Sequence, residues 1–187
     1  MLKKIGTFFL DFLETIVVGA SIFVVIYLFL MQPHEVKGDS MLPNFHSGEY
    51  ILTDKISYKF NTPNRGDVIV FESPENPDID YIKRVIALPG ETVRIEAGVV
   101  YVNGQKLAEA YEPDKTTILG NGFMSEGLDI TVAEGHYFVL GDNRFHSSDS
   151  REFGPVDEAK IVGRAFFRYW PPQRLGKLAT ISYSSEN

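Results

Sequence analysis

The chain has 187 residues and a formal net charge of −7, and it contains no cysteine. Without cysteine, structural disulfides, thiolate metal sites and a cysteine nucleophile are excluded. An acidic chain without a basic run is also a poor candidate for binding nucleic acid, which requires clustered Lys and Arg. With 44% hydrophobic and 23% charged residues, the composition indicates a globular domain with a core of its own.

Residues 15–31 form an uncharged apolar run that predicts a membrane-spanning helix. At about 1.5 Å per residue the run covers roughly 25 Å, and Phe12 and Leu13 extend it toward the ~30 Å of a hydrocarbon core. The run has no polar face, which a helix packed in a soluble core would have. No pair of small residues suited to cleavage follows it, so we expect a permanent anchor over residues 12–31.

The basic residues around this span predict its orientation. Lys3 and Lys4 precede it, whereas only Lys37 lies within the first ten residues after it. Because basic residues favour the cytoplasmic side, residues 1–11 are expected in the cytoplasm and residues 32–170 outside it. The sequence therefore predicts a single-pass protein of the cell membrane, with the lipid bilayer as one partner.

From residue 32 onward, short apolar runs separated by turns predict a mainly β fold, an open barrel or sandwich behind the helix. The predicted strands cover residues 50–53, 68–71, 81–88, 99–102, 105–107, 137–140 and 165–169. Asn103-Gly104 predicts a hairpin with a type I′ turn. Residues 111–128 lack a clear period and are interpreted as an exposed excursion from the core, and residues 171–187 as a polar tail.

Ser40 is the first candidate for chemistry. Gly38 and Pro43 bracket it, which predicts a tight turn that presents the hydroxyl. A serine in a turn is more often only a turn residue, so this segment alone does not assign a nucleophile.

Lys83 is the second candidate, because side chains alternate along a strand and Lys83 shares a face with Tyr81, Val85 and Ala87. To act as a base near neutral pH its pKa must fall about three units from ~10.4, which costs about 4 kcal/mol and is within reach of full burial. An edge-strand lysine or a structural ion pair would explain the same pattern. Arg84 points to the opposite face, and a guanidinium cannot act as a base.

Residues 141–154 concentrate polar side chains directly after a predicted strand. Such a segment is either an ordinary surface loop or, if buried, a hydrogen-bonded network beside a site. Asp149 and Arg151 could form an ion pair within it.

Together these segments resemble the bacterial type I signal peptidases (leader peptidases). The resemblance covers roughly residues 10–170 and rests on the anchor followed, in the family's order and spacing, by GDSMLP at 38–43, RGDVIVF at 65–71, YIKRVIALPGE at 81–91, and GDNR and SSDSREFG within 141–154. Each motif alone is weak, but four of them in order behind a membrane span are specific.

The resemblance implies a mainly β serine endopeptidase that cleaves signal peptides from secreted preproteins after small residues of the Ala-x-Ala type, without metal or cofactor. A monomer is the simplest expectation. The implied roles are Ser40 as nucleophile, Lys83 as general base, Ser147 as the serine that hydrogen-bonds and orients the lysine amine, Asp149 and Arg151 as a bracing pair, and the Ser40 backbone N–H as oxyanion donor. Val36, Met41 and Ile82 flank these residues and are candidates for lining the substrate pockets, although core packing explains them equally well.

Four residues depart from the family pattern. Asn44 stands where Thr is usual, and Phe145-His146 replaces a common Asp-Asn pair. Gly38 stands where some members place a serine whose hydroxyl joins the oxyanion hole. One such donor is worth about 10²–10³ in rate, so the source of a second donor matters.

Other readings of the same residues remain open at this stage. A Ser-His-Asp hydrolase would use His136 or His146, but no G-x-S-x-G elbow is present. A self-cleaving Ser-Lys repressor would carry a DNA-binding domain where this chain has its apolar segment. A non-catalytic, membrane-tethered β module would need neither Ser40 nor Lys83.

Overall fold

The computed structural model of the chain describes residues 2–109, 115–118 and 122–179. One long helix, α1 (Leu2–Val25), continues as a π-helical turn (Ile26–Leu30) and leads into a β domain. The strands are β1 (Met31–Glu35), β2 (Tyr50–Asp54), β3 (Val68–Glu72), β4 (Asp80–Ala87), β5 (Thr92–Glu96), β6 (Val99–Val102), β7 (Gln105–Lys106), β8 (Ile130–Thr131), β9 (His136–Leu140), β10 (Val156–Asp157), β11 (Ile161–Trp170) and β12 (Gly176–Lys177). Two short helices, α2 (Ser57–Phe60) and α3 (Ser150–Phe153), and two 3-10 turns (Glu158–Lys160 and Pro172–Arg174) lie between strands.

The N-terminal helix is long and apolar enough to cross a membrane over Gly6–Val25, where the mean hydropathy is 2.1 and the side chains are exposed. The helix begins before residue 12, and Met31, the last residue of the predicted span, already has the extended backbone of β1. Pro33 explains the end, because proline cannot continue a helix and restricts the residue before it.

The main sheet has eight strands in the order β1-β2-β11-β3-β4-β9-β10, with β12 paired to β11, so β1 is an edge strand. Its central strands are buried on both faces. Along β3, Val68 and Val70 enter one core cluster while Ile69 and Phe71 enter another. A strand of this kind reads as a continuous apolar run, as the sequence VIVF does.

A second sheet, in the order β7-β6-β5-β8, packs over the end of β4 and over β9 through a third core cluster. Asn103 and Gly104 both have positive φ, 52° and 77°, which confirms the type I′ hairpin. The mainly β fold and the seven predicted strands are confirmed, with shifted ends. The sequence analysis missed β1, β5, β8, β10 and β12.

Two of the predicted irregular segments are partly wrong. Within 111–128, Thr116 and Met124 are buried and Ile118 packs against the core, because Met124 fills space under the second sheet. Residues 111–114 and 119–121 of that segment lie outside the described residues. The predicted tail is ordered structure up to residue 179: β12 pairs with β11, and Leu178 packs on the core. Residues 180–187 lie outside the described residues.

A buried carboxylate joins this C-terminal segment to the loop between β1 and β2. Glu49 is 2% exposed, and its Oε2 lies 2.7 Å from Arg168 Nε, while its Oε1 pairs with Arg174. Both arginines also donate to the Asn44 carbonyl, Arg168 over 2.7 Å and Arg174 over 3.3 Å. The start and the end of the β domain are therefore held together by one charge cluster.

We expect Glu49→Ala to lower the stability of the fold by about 3 kcal/mol. The value lies at the low end for a broken buried ion pair, because Arg174 is a third exposed and can recover hydration. Thermal unfolding of the full chain in detergent should then shift down by roughly 6–12 °C. Glu35→Ala is the matched control, since its pair with Lys37 is exposed and worth about 0–1 kcal/mol. Equal midpoints for the two variants would contradict the role of the cluster.

Candidate active site

Ser40 lies in the loop between β1 and β2, in a turn closed by a hydrogen bond from the Leu42 N–H to the Asp39 carbonyl (3.2 Å). The next turn is closed by the Phe45 N–H, which donates to the Met41 carbonyl over 2.9 Å. Met41 and Phe45 are buried in the core, whereas Ser40 is half-buried. The apolar side chains that follow Ser40 therefore anchor the turn and leave its hydroxyl facing the open side.

Lys83 reaches this hydroxyl from strand β4. Its side chain is buried, with 4% of the residue exposed, and Nζ donates to Ser40 Oγ over 2.9 Å and to the Ile82 carbonyl over 3.0 Å. The amine also lies 5.1 Å from the centre of the Tyr81 ring. The structure thus brings together the two residues that the sequence analysis selected, which are 43 positions apart in the chain.

Burial lowers the pKa of Lys83 to about 8, because an ammonium loses hydration there. The Asp149 and Asp142 carboxylates act in the opposite direction, and Arg151 adds to the lowering. With this pKa about one lysine in ten is neutral at pH 7, compared with fewer than one in a thousand for an exposed lysine. The site can therefore supply a base for the adjacent hydroxyl at physiological pH.

Residues 141–154 form the buried polar network that was one of the two expected alternatives. Asp149 is fully buried, and its Oδ2 lies 2.8 Å from Arg151 Nη2, which confirms the expected ion pair. Asp149 also accepts from the Gly141 N–H (3.0 Å) and from the Arg151 N–H (3.2 Å). The pair thus fixes the backbone where the segment leaves β9.

Ser147 does not make the hydrogen bond to Lys83 that the resemblance implies. Among the described residues its buried Oγ has no hydrogen-bond partner, and Lys83 bonds to Ser40 and the Ile82 carbonyl instead. Ser147 lies against Gly141: a Cβ added to Gly141 would overlap Ser147 Oγ and would lie 2.5 Å from the Ser40 carbonyl oxygen. Gly141 is therefore a point of close approach between the Ser40 turn and the polar network.

A second buried ion pair, missed by the sequence analysis, lies beside Lys83. Arg84 on β4 binds Asp142 through two contacts, Nε to Oδ1 at 2.8 Å and Nη2 to Oδ2 at 2.6 Å. Asn44, where the family pattern led us to expect Thr, donates its side-chain amide to Asp142 Oδ2 over 2.9 Å. An arginine on a strand buried on both faces needs a partner, and the acidic residue two positions after the end of β9 was the available signal.

The site opens into a groove of about 660 Å³ between β1 and the first half of β4. Val36 and Ile82 line it, as proposed from the sequence, together with Ile51 and Val70. Met41 does not line it and belongs to the core beneath the turn, because the residue after Ser40 points inward. The other lining residues are Pro33, His34, Glu35, Lys37, Ser40, Asp78, Ile79, Asp80, Tyr81, Lys83 and Ser148.

The histidines considered for a Ser-His-Asp hydrolase are not hydrogen-bonded to Ser40. His136 Nδ1 lies 3.0 Å from the Glu134 carbonyl, and His146 is exposed, with neither lining the groove. Within the described ranges no group of three or more His, Asp or Glu side chains is placed to hold a metal ion. The partner that the structure gives to the Ser40 hydroxyl is Lys83.

Comparison with known proteins identifies a matching family and similar relatives. The model of a family described as signal peptidase, peptidase S26, matches residues 9–170. A signal peptidase I of Leptolyngbya laminosa is 39% identical over 176 residues, covering 89% of this chain and 82% of the relative. Signal peptidase IB of Staphylococcus aureus is 37% identical over 175 residues, covering 86% and 91%. A crystal structure of a signal peptidase I from Enterococcus faecalis is 40% identical, with a TM-score of 0.46, and covers 56% of this chain and 97% of that one.

The close approach at Gly141 predicts that Gly141→Ala destabilises the fold. The added Cβ forces apart the Ser40 carbonyl and Ser147, and overpacking of this kind costs about 1–3 kcal/mol. The thermal midpoint of the full chain in detergent should fall by roughly 2–12 °C. Gly19→Ala is the control, because a Cβ there meets nothing within 4 Å. An unchanged midpoint for Gly141→Ala would show that the turn that carries Ser40 is not packed as described.

Proposed function

This chain belongs to the signal peptidase, peptidase S26, family, and we propose that it cleaves signal peptides from secreted preproteins with Ser40 as nucleophile and Lys83 as general base. The observation that supports these roles most directly is the 2.9 Å contact between Ser40 Oγ and the buried Lys83 amine. Neither residue needs the other in a β module that only binds partners. Together they form a nucleophile and a base within hydrogen-bond reach.

In the proposed reaction, Lys83 is the base both for formation of the acyl-enzyme and for its hydrolysis. Neutral Lys83 accepts the Ser40 proton as Oγ attacks the scissile carbonyl, and the Ser40 N–H holds the resulting oxyanion. The amine of the mature protein then leaves with the proton from Lys83. Water, deprotonated by the same lysine, attacks the acyl-enzyme and releases the signal peptide with a free carboxylate. This is a Ser-Lys variant of the catalytic triad.

Three buried side chains around the dyad have positioning roles in this proposal. Asp149 and Arg151 hold the backbone of the polar network, and through Gly141 that network contacts the nucleophile turn. Ser147 lies at the same contact with an unbonded hydroxyl among the described residues. We propose that it orients the Lys83 amine during the reaction, when proton transfer changes the partners of that amine.

The shape of the groove supports cleavage after small residues. Among the described residues, strand β1 pairs only with β2, and its other edge borders the groove, so an extended peptide can add to it through main-chain hydrogen bonds. Alternate residues of such a peptide point the same way, which places the last residue before the cut and the one two positions earlier against the same wall. Val36 and Ile82 line the groove with two other apolar side chains, Ile51 and Val70. We propose that the space beside these side chains accepts only small residues, as in Ala-x-Ala.

The apolar helix α1 supports a membrane-anchored enzyme. We propose that its N-terminus is cytoplasmic and that the β domain lies outside the cytoplasm, in agreement with Lys3 and Lys4 before the span. Anchoring would confine the enzyme to the bilayer in which its substrates are held and raise their effective concentration. We further propose that the anchored chain acts as a monomer.

The dyad is tested by cleavage of a preprotein with an Ala-x-Ala site by the full-length protein in detergent. Wild type should cut after the second alanine, whereas Ser40→Ala and Lys83→Ala should lose at least about 10⁴-fold in kcat, since members of a catalytic unit cannot replace one another. Cleavage by Ser40→Ala would refute the assignment of the nucleophile. A wild-type protein that does not cleave the preprotein would instead favour the alternative that the chain is a non-catalytic β module that binds partners.

The pKa of Lys83 predicts the pH dependence of this reaction. Only the neutral amine is a base, so kcat/KM should rise about tenfold per pH unit in acid solution and level off above pH 8. His136→Ala and His146→Ala should leave this profile unchanged. Loss of activity in either histidine variant would point to a Ser-His enzyme.

A further inference from the structure

Asn143 donates hydrogen bonds to two consecutive backbone carbonyl groups, those of Asp39 and Ser40. Its side-chain Nδ2 donates to the Asp39 carbonyl over 3.0 Å, and its backbone N–H donates to the Ser40 carbonyl, also over 3.0 Å. The side chain is half-buried, and the two contacts bridge 104 and 103 positions of the chain. Asn143 thus holds the nucleophile turn from the side of the polar network.

The side-chain contact acts on a particular peptide group. The Asp39 carbonyl and the Ser40 N–H belong to the same amide, and in a trans peptide these two groups point in opposite directions. A donor on the carbonyl therefore fixes the direction of the N–H across the amide plane. It also polarises the amide, which makes the N–H a stronger donor.

The Ser40 N–H at the other end of this amide has no hydrogen-bond partner in the part of the chain that the structure describes. It is the donor to which the proposed mechanism assigns the oxyanion. Gly38 has no hydroxyl to offer as a second donor. The orientation and strength of this single N–H therefore carry more of the stabilisation than in a site with two donors.

We propose that Asn143 is a positioning residue of the oxyanion hole, which holds and polarises the Asp39–Ser40 amide through its side chain. The inference rests on the function proposed above. Asn143 does not touch the substrate, so its loss should cost less than removal of an oxyanion donor, for which about 10²–10³ in rate is typical. We expect a loss of about 10- to 100-fold in kcat with KM little changed.

The test compares Asn143→Ala and Asn143→Leu with wild type, using full-length protein in detergent. Both variants remove the donor, and Leu keeps the volume, while the backbone bond to the Ser40 carbonyl is available in each. The first readout is kcat and KM for the Ala-x-Ala preprotein. The second is the affinity of a peptide aldehyde that ends in alaninal, compared with the same peptide ending in a carboxamide.

The aldehyde reports on the oxyanion hole because Ser40 Oγ adds to its carbonyl carbon. The C–Oγ bond forms as the carbonyl π bond breaks, the carbonyl oxygen becomes the hemiacetal oxyanion, and Lys83 takes the serine proton. The carboxamide peptide occupies the groove without this step. We expect both Asn143 variants to bind the aldehyde weaker by the factor lost in kcat and the carboxamide as wild type does.

Asn61→Ala is the matched control. Its side-chain amide also donates to a backbone carbonyl, that of Ser57 over 3.1 Å, on the exposed surface. This variant should keep kcat and both affinities.

The results separate the inference from the function on which it rests. If wild type does not cleave, or if the aldehyde binds Ser40→Ala equally well, the proposed function fails. If both tests of Ser40 succeed but the Asn143 variants bind aldehyde and carboxamide in the wild-type ratio, only the role of Asn143 is overturned. A general folding defect lowers both affinities together and preserves that ratio, so it too counts against the inference.

Discussion

An amine held out of water is the constraint on which the rest of this site depends. In the proposed mechanism Lys83 can act as a base only while it is buried, yet it lies beside two carboxylates, Asp142 and Asp149, that favour its charged form. The fold limits their effect by giving each carboxylate an arginine of its own, Arg84 and Arg151. The net charge of each arginine–carboxylate pair is close to zero, so the pairs have little effect on Lys83. Desolvation therefore determines the direction in which the pKa of Lys83 shifts.

These ion pairs also determine geometry. The Arg84–Asp142 pair ties β4, which carries Lys83, to the segment after β9, and Asn44 reaches Asp142 from the loop that carries Ser40. The Asp149–Arg151 pair holds the segment after β9 itself. The Glu49 cluster holds the same loop from the other side. A contact of 2.9 Å between residues far apart in sequence is thus enforced by buried polar partners, which are costly to separate. The apolar core supplies stability, and the polar partners supply position.

Several elements of the fold and of the site could be predicted from the sequence because the signals for them are local. The continuous apolar run at β3, the Asn-Gly turn and the Gly-Pro bracket around Ser40 act over a few residues, and each predicted its element. The ion pair of Asp149 and Arg151 was accessible for the same reason, since its members are two positions apart. The choice of Ser40 and Lys83 as partners came from a family resemblance and not from any property of either segment.

The misses have physical causes of a different kind. Met41 looked equally suited to pocket and core, and only the turn geometry directs it inward. Strand β12 pairs through its backbone, and Thr116 is buried against Arg144, neither of which composition reveals. The packing of Gly141 against the Ser40 carbonyl depends on a close approach of two segments that are distant in sequence. Pro33 not only ends the helix but also lies in β1, which borders the groove. A sheet edge left open for a guest strand is equally open to other copies of the chain. By interrupting the row of N–H donors on β1, Pro33 makes that edge a poor template for self-association while leaving it able to receive a short peptide.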